Sequence, residues 1–321
     1  MDMISFGSVF LELVFGRLDR LPRPGEEVFS DEFAISCGGA VTSATAAAAG
    51  GVSAGLCTLL GDDMGSQVVA DHCAAAGVDI SPSARVGEPT AGITVVLNFD
   101  RDRGFVTHLP SRAFRAPQEA DRWRQVLREY RPAWCYLHAG RGRLAFLHEA
   151  RELGCKIMLD TSFGDARNRA SVLECVRMAD IFVPNADELV SLTGAGDIGR
   201  AIAAARGMGT QLVVTCGEAG AVLAGPDGEV TEIGDGVAQV PVRDLTGAGD
   251  SFAGAMIAAL VRGASVAQAA AAGNAAGSQA VARLGAVGEV AGAGSLAGWP
   301  LRPNVVQTAA ARAMNAMGQG R

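Results

Sequence analysis

Apolar residues in the first 110 positions come in short runs, near-continuous or alternating with polar residues, and glycine or proline ends each run. That rhythm predicts strands joined by turns and short helices. Residues 4–13 read as a buried strand that becomes more alternating after Gly7, and Pro22, Pro24 and Gly25 then mark a turn before a run at 28–36. A stretch of small residues over 40–49 predicts a helix stopped by Gly50 and Gly51, and 67–76 predicts a second one closed by Gly77. Between them 55–60 reads as a strand. Residues 90–98 and 105–109 read as a hairpin across a charged turn at 100–104.

From Pro117 the pattern changes. Helix at 121–130, strand at 134–138, helix at 144–153 and strand at 156–160 alternate, which argues for a parallel sheet with helices on both faces. Ligands gather at the C-terminal ends of such strands. Asp160, Asn185, Thr215 and the loop around Gly247 all follow apolar runs, so they converge on one cleft. An alanine-rich helix is expected over 264–282, and a short helix over 305–317 in the Ala/Gly-rich tail.

The stretch richest in chemistry is Asp244-Leu245-Thr246-Gly247-Ala248-Gly249-Asp250, which runs into an apolar, alanine-rich segment. It reads as a glycine-bracketed loop opening a buried helix. Unpaired N–H groups and the positive end of the dipole make such a start an anion site. A carboxylate there can take a hydroxyl proton while the amides of Gly247, Ala248 and Gly249 stabilise a transferred phosphoryl group. The same five letters recur at Thr193-Gly194-Ala195-Gly196-Asp197, which we read as a helix-ending turn because a polar helical stretch precedes it. Asn185 and Glu188 have the spacing of a helix cap with its reciprocal partner.

Residues 244–252 resemble the C-terminal signature of the PfkB, or ribokinase-like, family of carbohydrate and nucleoside kinases. Gly38-Gly39-Ala40-Val41-Thr42-Ser43-Ala44 through Gly61-Asp62-Asp63-Met64-Gly65 resembles its N-terminal signature, and the likeness runs in order from about residue 4 to 286. The resemblance implies an α/β fold: a three-layer α/β/α sandwich with a mostly parallel central sheet and a small β-lid. One domain over 1–290 would carry lid segments at about 10–36 and 90–110, with 291–321 as an extension. It implies an ATP-dependent phosphotransferase acting on a small sugar or sugar derivative, with a nucleoside kinase or a non-catalytic homologue as alternatives.

By the same resemblance Asp250 is the base and the 247–249 amides the anion hole. Glu12, Gly38, Gly39 and Ser43 fall at the substrate, and the lid tip would bring Arg103 or His108 over it. Asn185, Thr215, Gly217, Gly220 and Asn274 fall at the nucleotide. Glu188 falls at Mg2+, through water, and Asp244 with the turn at 283–286 near a monovalent cation such as K+. Three positions depart from the family's pattern: Phe10 replaces a polar residue, Glu12 an aspartate and Ser43 an asparagine. Lid strands have open edges, so pairing with a second copy is expected.

Composition narrows the alternatives. A net charge of −7 without a basic stripe argues against nucleic acid as a partner. Lys156 is the only lysine, and neither a P-loop nor a protein-kinase lysine has its context here, so phosphate must be gripped by amides, arginine and metal. No early G-x-G-x-x-G follows the first strand, which disfavours a dinucleotide dehydrogenase. Seven scattered cysteines without a C-x-x-C pair read as buried thiols in a reducing cytoplasm. No long apolar run predicts export or membrane insertion.

Overall fold

The first apolar run does not stay in one sheet. In the computed structural model, which describes residues 1–99, 103–110, 116–161, 168–225 and 228–290, it splits at Gly7 into β1 (Met3–Phe6) and β2 (Val9–Gly16). Then follow β3 (Glu32–Gly39), α1 (Ala40–Ala49), β4 (Ala54–Cys57), β5 (Leu59–Leu60), α2 (Met64–Ala76), β6 (Ala84–Arg85), β7 (Gly92–Asn98) and β8 (Arg103–His108). The second half holds α3 (Ala116–Tyr130), β9 (Trp134–His138), α4 (Leu144–Glu152), β10 (Lys156–Asp160), α5 (Arg169–Val176), β11 (Ile181–Phe182), α6 (Ala186–Thr193) and α7 (Ile198–Arg206). It closes with β12 (Gln211–Thr215), β13 (Ala221–Ala224), β14 (Val230–Ile233), α8 (Ala248–Val261) and α9 (Val266–Val281). The helix expected at 305–317 and the 291–321 extension lie outside the described residues, as do positions 100–102 of the charged turn.

Eight strands form the central sheet in the order β14-β13-β12-β11-β10-β9-β1-β4, parallel from β4 to β12 and antiparallel at β13 and β14. Alternate residues of each strand enter opposite layers. Phe6, Leu137 and Leu159 join Trp123, Phe146 and Val172 on one face, whereas Met3, Tyr136 and Met158 join Phe252, Met256 and Ala269 on the other. The fold is therefore the three-layer α/β/α sandwich expected of a ribokinase-like chain.

Four strands, in the order β3-β2-β7-β8, make a separate small sheet. Its register sorts the side chains: Ser36, Glu12, Thr94 and Thr107 share one face, and Ile35, Leu13, Val95 and Val106 the other. The first face turns inward, where Val14, Ala34 and Val96 pack on Leu284. On the second, Phe33 (52 % exposed) and Val106 (64 %) stand in the open. The hydrophobic pattern at 28–36 sets the strand too early. Ser30 is instead spent holding the Gly16 and Glu32 carbonyls, and pairing starts at Glu32.

Helix α8 crosses α1 at a seam of small residues. A side chain at Gly254 would stand 2.1 Å from the Ser43 carbonyl, so only glycine fits the crossing. On the far face, the Phe146 ring lies 4.8 Å from Phe6 and 5.5 Å from Trp123, fully buried. Phe146→Ala should cost roughly 3–5 kcal/mol, read as a lower urea midpoint at an unchanged slope.

Candidate active site

Gly247 is the N-cap of α8, at φ 76° and ψ 4°. A side chain there would be both strained and in contact with Ala286 at 2.7 Å, so the sequence can place only glycine at this start. Ala248, Gly249 and Asp250 follow as the first helical residues. The amides of Gly247 and Gly249 donate to no main-chain carbonyl among the described residues, and that of Ala248 only leans on Leu245 O at 3.4 Å. The helix start is thus an open donor nest.

Position along the helix separates the two copies of the motif. Gly194 ends α6 in the left-handed conformation (φ 71°), as the sequence reading held, and Asp197 then becomes the N-cap of α7, its carboxylate accepting from Arg200 N at 2.8 Å. Asp250 stands three residues past its cap, where no such bond is made. Its Oδ1 accepts from the Tyr136 hydroxyl at 2.8 Å and lies 3.5 Å from His138 Nε2, and its Oδ2 has no partner among the described residues.

Asp160, at the end of β10, completes the cluster. Its Oδ2 is 3.1 Å from the Tyr136 hydroxyl, and its Oδ1 accepts from Thr161 N at 2.7 Å. Burial pushes the Asp160 carboxyl up to about 8, against the pull of His138, with Glu188 and Asp250 adding to the rise. Burial alone would lower His138, but the bond to Asp250 and the charges of Asp160, Asp250 and Glu188 outweigh it and hold the imidazole at about 9. Tyr136 and His138 belong to this cluster, and the sequence reading passed over both. The available signal was a strand ending in Tyr-Leu-His, which brings two polar side chains onto one face at its C-terminal end.

On the lid side, Glu12 is buried and its Oε2 accepts from Ala286 N at 3.0 Å. Gly38 lies against its other oxygen, and Gly39 lies under the Phe10 ring, which also packs on Gly92. Ser43 is a correction. Expected at the substrate, it is fully buried, with its hydroxyl 2.9 Å from that of Ser5 and donating to Ala40 O at 3.2 Å, because the α1–α8 crossing encloses it. His108 is another: its register with Ile93 puts it on the outer face of the lid. Arg103 falls among the inward positions but at the far end of the strands, with its guanidinium 5.5 Å from the Phe105 ring.

Across α8 lies a cavity of about 280 Å³, lined by Thr215, Gly217, Gly220, Gly249, Phe252 and Asn274 among others. The Asn274 amide donates to Ile233 O and Asp235 O, both at 2.9 Å, and so fixes the wall of that cavity. Asn185 and Glu188 form a reciprocal cap on α6, each accepting the other's main-chain N–H, and Asn185 bridges to Thr215 at the cavity's edge. Asp244 is buried. Its Oδ1 accepts from Thr246 N and Thr246 Oγ1, and its Oδ2 from Gly285 N at 2.8 Å.

Burial first, then the charges of Asp244 and Asp250, raise the Glu12 carboxyl from 4.5 to about 7, against the Ala286 bond. Below pH 4.5 the group is protonated folded and unfolded alike. Between there and about 7 only the unfolded chain ionises, so stability falls as pH rises, by on the order of 3 kcal/mol in all. Glu12→Gln should remove this slope: its melting temperature relative to the parent should climb from pH 5 to pH 8.

A profile of the pfkB family carbohydrate kinases matches residues 3–290. Among solved structures, the ribokinase of Arabidopsis thaliana, complexed with ribose and ATP, superposes with a TM-score of 0.69 at 23% identity, over 87% of this chain and 92% of that one. The adenosine kinase of Sinorhizobium meliloti gives 0.74 at 21% identity, over 89% and 95%. The fructokinase of Vibrio cholerae O395, bound to fructose, ADP and calcium, gives 0.70 at 19% identity, over 89% and 95%. At these identities the superpositions establish the shared fold. The profile, spanning most of the sequence, establishes that this chain belongs to the pfkB family of carbohydrate kinases and is a phosphotransferase.

Proposed function

We propose that the protein transfers the terminal phosphoryl group of ATP to a hydroxyl of a small sugar or sugar derivative. The observation that carries this reading is the placement of Asp250, whose Oδ2 has no partner among the described residues and which stands in the helix turn opened by the free amides of Gly247 and Gly249, between the nucleotide cavity and the Glu12 side of the lid. Asp250 takes the hydroxyl proton as the acceptor oxygen attacks, and the helix-start amides, with that of Ala248, hold the charge that moves onto the leaving phosphate. Glu12, Gly38 and Gly39 line the acceptor's place. Thr215, Gly217, Gly220 and Asn274 line the nucleotide's, a fit to ATP supported by a bare-backbone wall and the cavity's size.

An E. coli relative solved with ATP and Mg2+ supports the metal by analogy of fold (TM-score 0.73, 22% identity, 89% of this chain and 94% of that one). Asn185 and Glu188 would hold Mg2+ through water, one amide oxygen and one carboxylate being a donor set that suits an ion which keeps most of its own water. Bound there, the ion neutralises phosphoryl oxygens. Asp244 spends three of its roughly four lone-pair sites on Thr246 and Gly285, which leaves one on Oδ2 for K+, and no step is routed through it.

A nucleoside acceptor is the second reading. Phe10 favours it, because an aromatic ring on the lid's inner face can stack on a base where a sugar would want a polar group. Residues 1–290 would act as one unit with the lid at about 10–36 and 90–110, and 291–321 as an appendage. The outer lid face, with Phe33, Ile93 and Val106 exposed, would pair with a second copy. No helix among the described residues is long and apolar enough to cross a membrane, and all seven cysteines are free, which fits a reducing cytoplasm.

ADP release from MgATP with ribose, fructose and adenosine separates these acceptors, and silence across the panel would favour a non-catalytic homologue. Asp250→Asn should lower turnover by roughly 10²–10⁴-fold with ATP binding retained. Asp197→Ala, at the other copy of the motif, should cost only about 1 kcal/mol of stability and leave turnover intact. For the lid pairing, light scattering should give twice the chain mass, and Val106→Asp should return it to one.

A further inference from the structure

We infer that Tyr136 is a positioning residue for Asp250, and that Asp160 holds its phenol in the orientation this requires. The inference rests on Asp250 being the base. Tyr136 is 1 % exposed, on the face of β9 that packs against α8, and its hydroxyl emerges between two carboxyl groups from different elements. Asp250 Oδ1 lies at 2.8 Å and Asp160 Oδ2 at 3.1 Å.

A phenol has one proton to donate, and two ionised carboxylates would both need it. One of the two contacts is therefore a bond that a carboxyl donates to the phenol oxygen. Asp160 is the donor: it is the more deeply buried of the two (7 % exposed, against 19 % for the Asp250 side chain), and its Oδ1 already accepts from Thr161 N. The order is then Asp160 O–H to Tyr136 oxygen, and Tyr136 O–H to Asp250 Oδ1. Bonded in this way, Oδ1 fixes the rotation of the Asp250 carboxylate and leaves Oδ2 to receive the acceptor's proton. The phenol itself is fixed from behind by the sheet, so the carboxylate is aimed before any substrate arrives.

The test compares Tyr136→Phe, Asp250→Asn and the double variant, with Asp160→Asn as a second probe of the same chain of bonds. ADP release is followed with MgATP and whichever of ribose, fructose or adenosine is phosphorylated, or with water as acceptor where none is. Tyr136→Phe should lower kcat about 10- to 100-fold with the KM for ATP held within about twofold, and should change the residual rate of Asp250→Asn by less than about twofold. Asp160→Asn should lower kcat at least about threefold, and it decides the matter alone if Tyr136→Phe does not fold. Full turnover in Tyr136→Phe beside a dead Asp250→Asn overturns the inference and leaves the base in place. An equal loss from Tyr136→Phe in both backgrounds also overturns it, since a purely structural effect would persist without the base. Full turnover in Asp250→Asn overturns the base assignment itself.

Discussion

Two buried carboxylates from distant parts of the chain converge on one turn. Glu12 of the lid takes the amide of Ala286, and Asp244 of the anion loop takes the amide of its neighbour Gly285. Val290 N also bonds Ile35 O, so the lid, the loop and the end of the described chain meet within a few residues. Among the described residues neither carboxylate makes an ion pair, and main-chain donors, with the Thr246 hydroxyl, hold both in place. The Gly247 start depends on the same turn, since Ala286 fills the space a side chain would need.

That arrangement bears on how the anion site proposed at this helix start would work without lysine. The sheet supplies the position, because β9, β10 and β11 end side by side and deliver His138, Asp160 and the Asn185 cap to one level. Helix α8 supplies the donors and Asp250 together, three residues apart. Charge is then managed locally: the His138 imidazole is held cationic beside Asp250, and burial keeps the Asp160 carboxyl protonated.

Much of this was legible in the residues. The strands at 134–138 and 156–160 and the helix at 40–49 agree with the sequence reading to the residue, because apolar period and glycine stops coincide there. The break of the first run at Gly7 was only half visible: alternation changed, but nothing local says that the chain leaves one sheet for another. Ser43 was misplaced for a related reason, since a helix of small residues looks equally suited to a ligand or to another helix, and α8 lies 200 residues away in sequence. Tyr136 was invisible as a partner of Asp250 because the contact joins a strand to a helix 114 positions later. Long-range pairs of that kind leave no periodicity to read.

The seam between α1 and α8 bears on how far disturbance can travel. Alanine and glycine there have no rotamers to adjust, and backbone meets backbone at Gly254 and Ser43. An added methyl group cannot be absorbed by a neighbour swinging aside, so the whole of α8 would have to slide. Its first turn carries the donors and the carboxylate, one rigid rod away. The end of α8 that carries Asp250 thus inherits its precision from a contact away from the cleft, and, with Asp250 as the base, drift at an inconspicuous alanine would silence the enzyme with every polar residue of the cleft intact.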